Sequence, residues 1–169
     1  MEFSTTRFGK MVIDESRIIT MRGGLLGFDH LKQYVLLTQN KMTPFWWFQS
    51  TDDGRTAFVV INSFAISPDY EPIIPDNDVR LLEISHPDDV LLLSVVTISS
   101  NPISITANLR APIVINVKRR LGRQIVLQDQ DYPIQYIVTS IEKIVGSVEK
   151  TKGLERHDAS ILISAPAGS

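Results

Sequence analysis

Ile105–Asn116 reads ITANLRAPIVIN, and the fold turns on this stretch. A first run, Ile105–Leu109, meets the junction Arg110-Ala111-Pro112 and then a second, β-branched run, Ile113–Val117. Proline is confined to edges, strand starts and bulges of sheets, so Pro112 begins the second strand. Two asparagines, Asn108 and Asn116, interrupt otherwise apolar text. A buried amide must find hydrogen-bond partners or cost the fold about 2–3 kcal/mol. Both are therefore expected to bond backbone at the ends of paired strands, with Pro112 at the bend between them. The stretch holds no catalytic acid, base or metal ligand. It specifies architecture, and it leaves function to a surface.

Outward from it, short β-rich runs alternate with turns. Thr6–Ile13 and Ile18–Met21 flank the turn Asp14-Glu15-Ser16, and Tyr34–Thr38 is a further strand. Phe45–Ser50 and Thr56–Asn62, joined through Asp52-Asp53-Gly54, read as a hairpin. Val90–Ile98 reads as a buried strand. Ile113–Val117 continues through a turn containing Gly122 into Gln124–Leu127, and Ile134–Ile141 is the last strand. Pro68, Pro72 and Pro75 break the middle of the chain, after which Asp76 or Asn77 is placed to N-cap a short helix ending at Leu82 or Glu83. Regularly spaced short strands point to a barrel or a sandwich. Residues 1–146 read as one domain and 147–169 as a loosely held tail. Within that tail Ile161-Leu162-Ile163 either forms one more short strand or packs elsewhere.

The 169 residues suit one domain with a sizeable core, and 43% hydrophobic with 21% charged residues is ordinary globular composition. A net charge of −2 gives no global attraction to nucleic acid. With no cysteine, disulfides, thiolate catalysis and cysteine metal sites are excluded. The N-terminus carries Glu2 and no apolar signal core, and the longest apolar run is far short of a membrane span, so a cytoplasmic protein is expected.

Little here suggests catalysis or a cofactor. His30, His86 and His157 share no ligand spacing. Asp52-Asp53 and Asp88-Asp89 diverge as neighbours and fit turns better than paired-carboxylate chemistry. Gly23-Gly24-Leu25-Leu26-Gly27 lacks the lysine and helix of a phosphate loop.

Charge and aromatics are more informative. Asp69–Asp89 contains Asp69, Glu71, Asp76, Asp78, Glu83, Asp88 and Asp89 against Arg80 alone, whereas Arg110–Arg123 contains Arg110, Lys118, Arg119, Arg120 and Arg123 and no acid. Such runs are either solvated turns or, for the acids, a surface that steers a basic partner. Along Phe45–Phe48, Phe45 and Trp47 share one face and Trp46 and Phe48 the other. One face is core; the second is either covered or a docking surface. A small nucleic-acid-binding barrel using Lys118, Arg119, Arg120 and Arg123 is the alternative function, weakened by the absence of basic residues among those aromatics.

Several segments resemble, in order, those of the flagellar assembly factor FliW family. Gly24-Leu25-Leu26-Gly27-Phe28 is similar to its GLxGF step, and Pro44–Ser50 to its PFxW…QS strand, with Phe48 where leucine is common. Phe58-Val59-Val60, the P-x-Y step Pro68-Asp69-Tyr70 and the TANLxAPIVIN text within Ser104–Asn116 follow. The resemblance spans about Phe3 to Ile141. It implies a mainly β fold, a small compact antiparallel β-barrel with one or two short helices, and a non-enzymatic role. It also implies two protein partners: the translational repressor CsrA, a small RNA-binding dimer whose repression is relieved, and flagellin. No cofactor, membrane or small-molecule substrate is implied. Asp69, Glu71, Asp76, Asp78 and Glu83 are the expected repressor contacts, with Tyr70 as an aromatic anchor, and Trp46 or Phe64 the expected flagellin contacts.

Overall fold

The computed structural model describes residues 1–39, 43–138 and 161–165. At the start of the chain β1 (Glu2–Thr5) and β2 (Gly9–Val12) form an antiparallel hairpin apart from the main sheet. A single strand was expected over Thr6–Ile13; instead the chain reverses at residues 6–8. The Thr5 hydroxyl drives the reversal, accepting from the Phe8 N–H at 2.8 Å and donating to the Gly9 carbonyl at 2.9 Å.

The remaining strands are β3 (Ile19–Met21), β4 (Gln33–Thr38), β5 (Phe45–Ser50), β6 (Ala57–Asn62), β7 (Val90–Ser100), β8 (Ile103–Ala107), β9 (Ile113–Asn116), β10 (Leu121–Gln124), β11 (Tyr136–Ile137) and β12 (Leu162–Ser164). Two short helices, α1 (Ser63–Ile66) and α2 (Asp76–Leu81), lie between β6 and β7. Seven strands close a barrel in the order β7-β6-β5-β4-β3-β10-β9, with β9 pairing back onto β7. The expected β5–β6 hairpin is present, with Phe48 opposite Phe58. Every neighbouring pair in the ring is antiparallel except β3–β10, which is parallel.

That parallel pair explains a misplaced turn. The strand expected at Gln124–Leu127 lies earlier, at Leu121–Gln124, and Gly122 sits inside it. A Cβ on Gly122 would lie 2.6 Å from the Met21 sulfur and 3.4 Å from Ile115, its partners on the two flanking strands, so the glycine makes room for neighbouring side chains. The turn itself is Val117–Arg120, closed by Arg120 at φ 54°.

The diagnostic stretch folds as expected around β7. Ala107 opposes Val96 and Ile113 opposes Leu93, so residues 108–112 bulge out against Ser94 and Val95 alone. The first part of β7 thus closes the barrel through β9, and the second carries β8 outward as a projecting hairpin edged by β11. Asn108 Oδ1 accepts from the Arg110 and Ala111 N–H groups, both at 3.0 Å. Asn116 Oδ1 accepts from the Lys118 and Arg119 N–H groups at 3.1 and 3.2 Å. These Asx turns hold the two corners of the stretch.

The helix expected after Pro75 exists, but neither Asp76 nor Asn77 caps it. Pro75 occupies the cap position, and its carbonyl takes the N–H groups of Asp78 and Val79 at 2.9 and 3.0 Å. The helix ends in a Schellman turn: Ile84 N–H bonds the Val79 carbonyl, Glu83 N–H bonds the Arg80 carbonyl, and Glu83 adopts φ 53°.

The barrel interior is filled by Ile19, Met21, Tyr34, Leu36, Phe48, Val60, Leu93, Ile113 and Ile115. Tyr34 stacks on Phe48 with ring centres 4.4 Å apart. Trp46 belongs to this interior too, so it is core and not the flagellin contact expected of it. The opposite face of β4 and β5 is covered as well: Val35, Leu37 and Trp47 lie beneath Phe8, Met11 and Ile13 of the N-terminal hairpin. Both faces of β4 are therefore buried, which accounts for its unbroken apolar text. From the region read as tail, Leu162–Ser164 pairs parallel to β4. The strand expected over Ile134–Ile141 covers Tyr136–Ile137; its last residues lie outside the described ones.

Candidate functional site

α1, the proline-rich link to α2, α2 itself and the turn Pro87–Asp89 pack over the outer face of β7 and leave a groove of about 690 Å³. Its floor and walls are apolar, formed mainly by Phe64, Ile74, Val79, Ile84, Val90 and Leu92, with Glu71 and His86 at the margin.

Sequence and packing set each wall. Asn62 caps α1, its side chain accepting from the Phe64 N–H at 3.0 Å, and this turns the half-buried Phe64 ring into the groove. The link beyond Pro68 is held by residues 130–132. Gln130 accepts from the Ile73 N–H at 2.7 Å and donates to the Glu71 carbonyl at 2.9 Å, while the Tyr132 hydroxyl accepts from the Glu71 N–H at 3.1 Å.

Tyr70 sits below this link with its edge against Phe64 and Tyr132. It is 2% exposed, and its hydroxyl donates to the Leu109 carbonyl at 2.5 Å. Burial raises its ionisation well above the ordinary phenol range. Tyr70, expected as an aromatic anchor for the repressor, is thus placed as a buried pillar beneath the link. No sequence feature separates these roles, since a buried Tyr also needs a partner for its hydroxyl.

The acidic run divides in two. Asp69, Glu71, Asp76, Glu83 and Asp88 are exposed, and of these Glu71 lines the groove. Asp78 instead pairs with Arg123 at 3.0 Å, and the buried Asp89 pairs with Lys118 at 3.3 Å. Asp78, one of the expected contacts, is thus already engaged within the molecule. The two opposing charge runs partly neutralise one another, a pairing that needs the closed barrel to bring α2 beside β10. Asn116 completes the junction: its Nδ2 donates to the Leu82 and Glu83 carbonyls at 2.9 and 3.0 Å.

The same pairings bear on the basic hairpin, where Lys118 and Arg123 are tied to acids. The aromatics of β5 offer no stacking platform beside it. Trp46 and Phe48 point into the barrel, Phe45 packs on the outer cluster, and Trp47 lies under Arg7, whose guanidinium carbon is 4.0 Å from the ring centre.

Carboxylates elsewhere make turns. Asp52 accepts from the Lys32 and Gln33 N–H groups at 2.8 and 3.0 Å. Asp53 is held below its usual range by hydrogen bonds from Arg55, and Asp14 by those from Ser16. No group of three or more His, Asp or Glu side chains among the described residues is placed to hold a metal ion, and no helix among them is long and apolar enough to cross a membrane.

Comparison with known proteins gives a consistent result. The family model described as FliW protein matches residues 2–138. A flagellar assembly factor FliW from Syntrophus aciditrophicus is 52% identical over 147 residues, covering 86% of this chain and 93% of that protein. One from Geobacter sulfurreducens is 41% identical over 136 residues, covering 80% and 85%. A crystal structure of the flagellar assembly factor FliW superposes with a TM-score of 0.74 at 35% identity, covering 84% of this chain and 99% of that one.

Proposed function

The chain belongs to the FliW family, and from that premise we propose that it is a cytoplasmic, non-enzymatic flagellar assembly factor that binds the repressor CsrA and flagellin in exchange. The observation that carries this reading is the set of exposed acids, Asp69, Glu71, Asp76 and Glu83, carried by the same segment that lines an apolar groove, with Glu71 itself in the lining. An RNA-binding repressor presents basic surface, for which clustered acids are the electrostatic complement. Phe64, at the wall of the same groove, supplies apolar surface for the second partner. Two ligands that share one face exclude each other without any chemical step, so free flagellin would release the repressor by mass action.

Calorimetry with purified CsrA, followed by addition of flagellin, tests the reading. Saturable CsrA binding that flagellin reverses is expected. Reversing Asp69 and Glu71 to lysine should weaken CsrA binding by about tenfold or more, equivalent to about 1.4 kcal/mol. Absence of binding, or simultaneous binding of both proteins without competition, would refute the exchange.

A further inference from the structure

We propose that the edge of β4 at Leu36–Thr38 is a strand-receiving site, and that its ligand is the segment Ile161–Ala165, delivered by its own chain or, in exchange, by a second copy. The ligand class is a short, uncharged, extended segment that is apolar on both faces of the sheet. This seat lies on β4, away from the groove over β7, and does not depend on the binding of CsrA or flagellin.

The seat exists because β3 is short. β5 covers one side of β4 from Tyr34 to Leu37. On the other side β3 pairs only with Gln33 and Tyr34, and the chain before it leaves the sheet through the turn Glu15–Arg17. Among the described residues up to Val138, no strand lies beside Leu36 or Leu37 on that side. Such an edge is a template for a further strand. Leu162, Ile163 and Ser164 fill it in parallel register, and the Ala165 N–H donates to the Thr38 carbonyl at 2.8 Å. Arg17 closes the near end, its guanidinium donating to the Leu162 carbonyl at 2.9 Å.

Recognition follows the logic of strand addition, in which main-chain bonds hold the guest and side-chain pockets choose it. Ile161 is fully buried in the barrel interior, and Leu162 packs on the same cluster, to which its partner Leu36 belongs. Ile163 and Ala165 pack instead on the cluster of Leu37, Met11 and Ile13 under the N-terminal hairpin. Residues 159–169 carry no charged side chain, and an ionised group taken into either cluster would be buried at heavy cost.

Connectivity leaves the source of the strand open. The segment lies beyond residues 2–138, which match the family model, and residues 139–160 join it to the barrel. That stretch can reach at most about 75 Å, which is enough to bring the segment of one copy to the seat of another. β12 lies off the closed ring, so its release leaves every ring pairing in place. Its pairing is parallel, the weaker kind of ladder. A second copy offers identical contacts, so exchange gives up none of them. Tethering favours the strand's own barrel until the protein is concentrated.

The test uses the full chain, which has no cysteine, so introduced ones report their own contacts. Leu37 and Ile163 are register partners, a spacing that a disulfide can bridge. Chains carrying Leu37→Cys alone are mixed at high concentration with chains carrying Ile163→Cys alone, and then oxidised. A heterodimer linked between positions 37 and 163 is expected by peptide mass mapping, with a yield that falls when a synthetic peptide of sequence 159–166 is added in excess. The same peptide, fluorescently labelled, should bind the chain carrying Ile161→Asp, whose own strand is unseated, about tenfold more tightly than the unaltered chain. Its binding should shift the amides of residues 35–38, and a peptide carrying Ile163→Asp should not bind. Leu37→Cys with Ile163→Cys in one chain, once oxidised, should reject the peptide. Absence of the 37–163 link between copies would overturn the exchange. Binding to the locked chain, equal binding to the unaltered chain, or shifts confined to another face would overturn the seat. If Ile161→Asp does not fold, the heterodimer yield and its loss to the peptide decide.

Discussion

The Asp78 carboxylate on α2 meets the Arg123 guanidinium on β10 at 3.0 Å, and that guanidinium also donates to the Arg22 carbonyl at 3.1 Å. One arginine thereby joins the helix beside the groove to the loop that follows β3. The Arg123 side chain is 39% exposed, so solvent screens the pair and its contribution is modest. A double-mutant cycle of Asp78→Ala and Arg123→Ala, read by urea denaturation, should give a coupling of about 0.5–1 kcal/mol that shrinks as salt is added. A coupling of zero would mean that α2 is held by its other contacts alone.

Asn116 has a larger role, because its amide joins β9 to the end of α2 and also shapes the turn into β10. Asn116→Leu removes four hydrogen bonds and leaves the Leu82 carbonyl without this donor. The loss should be about 3 kcal/mol, measured as a lower urea midpoint. Asn108→Leu removes two bonds at a half-buried position and should cost less, about 1–2 kcal/mol. Both variants should lower stability more than the affinity of the folded protein for its partners, which titrations under strongly native conditions would check.

Gly54 is the point where the N-terminal hairpin rests on the barrel. A Cβ there would fall 1.8 Å from the Ser4 carbonyl oxygen, and the Gly54 carbonyl accepts from the Thr6 N–H at 3.0 Å. Gly→Ala commonly stabilises by restricting the unfolded chain; here the sign should reverse. Gly54→Ala should cost about 1–3 kcal/mol and red-shift tryptophan emission as the hairpin lifts from Trp47. An unshifted spectrum with unchanged stability would show that the backbone yields at no cost.

The buried tyrosines predict the alkaline limit. Burial is the main reason that Tyr34 ionises at about 12, with the nearby Asp52 charge adding to it. In the unfolded chain a tyrosine ionises near pH 10. Below pH 10 both states hold the proton and stability is level. Between pH 10 and 12 only the unfolded state releases it, so stability falls by about 1.4 kcal/mol per pH unit for each such residue. Urea midpoints at about pH 9 and about pH 11 should differ accordingly, and Tyr34→Phe should reduce the slope.

The parts of this fold legible in the sequence are those governed by short-range rules. Pro112 fixes where β9 begins, Asn108 and Asn116 seek backbone within three residues, and the alternation through Phe45–Ser50 followed by Asp-Asp-Gly defines a hairpin. Gly122 was misplaced because a glycine that permits a turn and one that admits a neighbour look alike in one dimension. The site was harder to read. Asp78 and Asp76 are equivalent in sequence, and only ring closure, which places Arg123 beside one of them, separates the engaged carboxylate from the exposed one. Trp46 and Tyr70 show the same ambiguity, since a large aromatic serves equally well as anchor or as core.

The parallel pairing of Thr20 with Leu121 joins segments about a hundred residues apart. A chain emerging from the ribosome can lay down β3 through β7 in order, each against the strand before it. Until β9 and β10 have been synthesised, that sheet stays open along β3 and along the first half of β7, with the future barrel interior facing water. Unpaired edges of this kind invite pairing with other chains. The interval before β10 is complete is therefore one in which the open sheet is exposed to such pairing, and the last strand to enter the ring is the one that ends it.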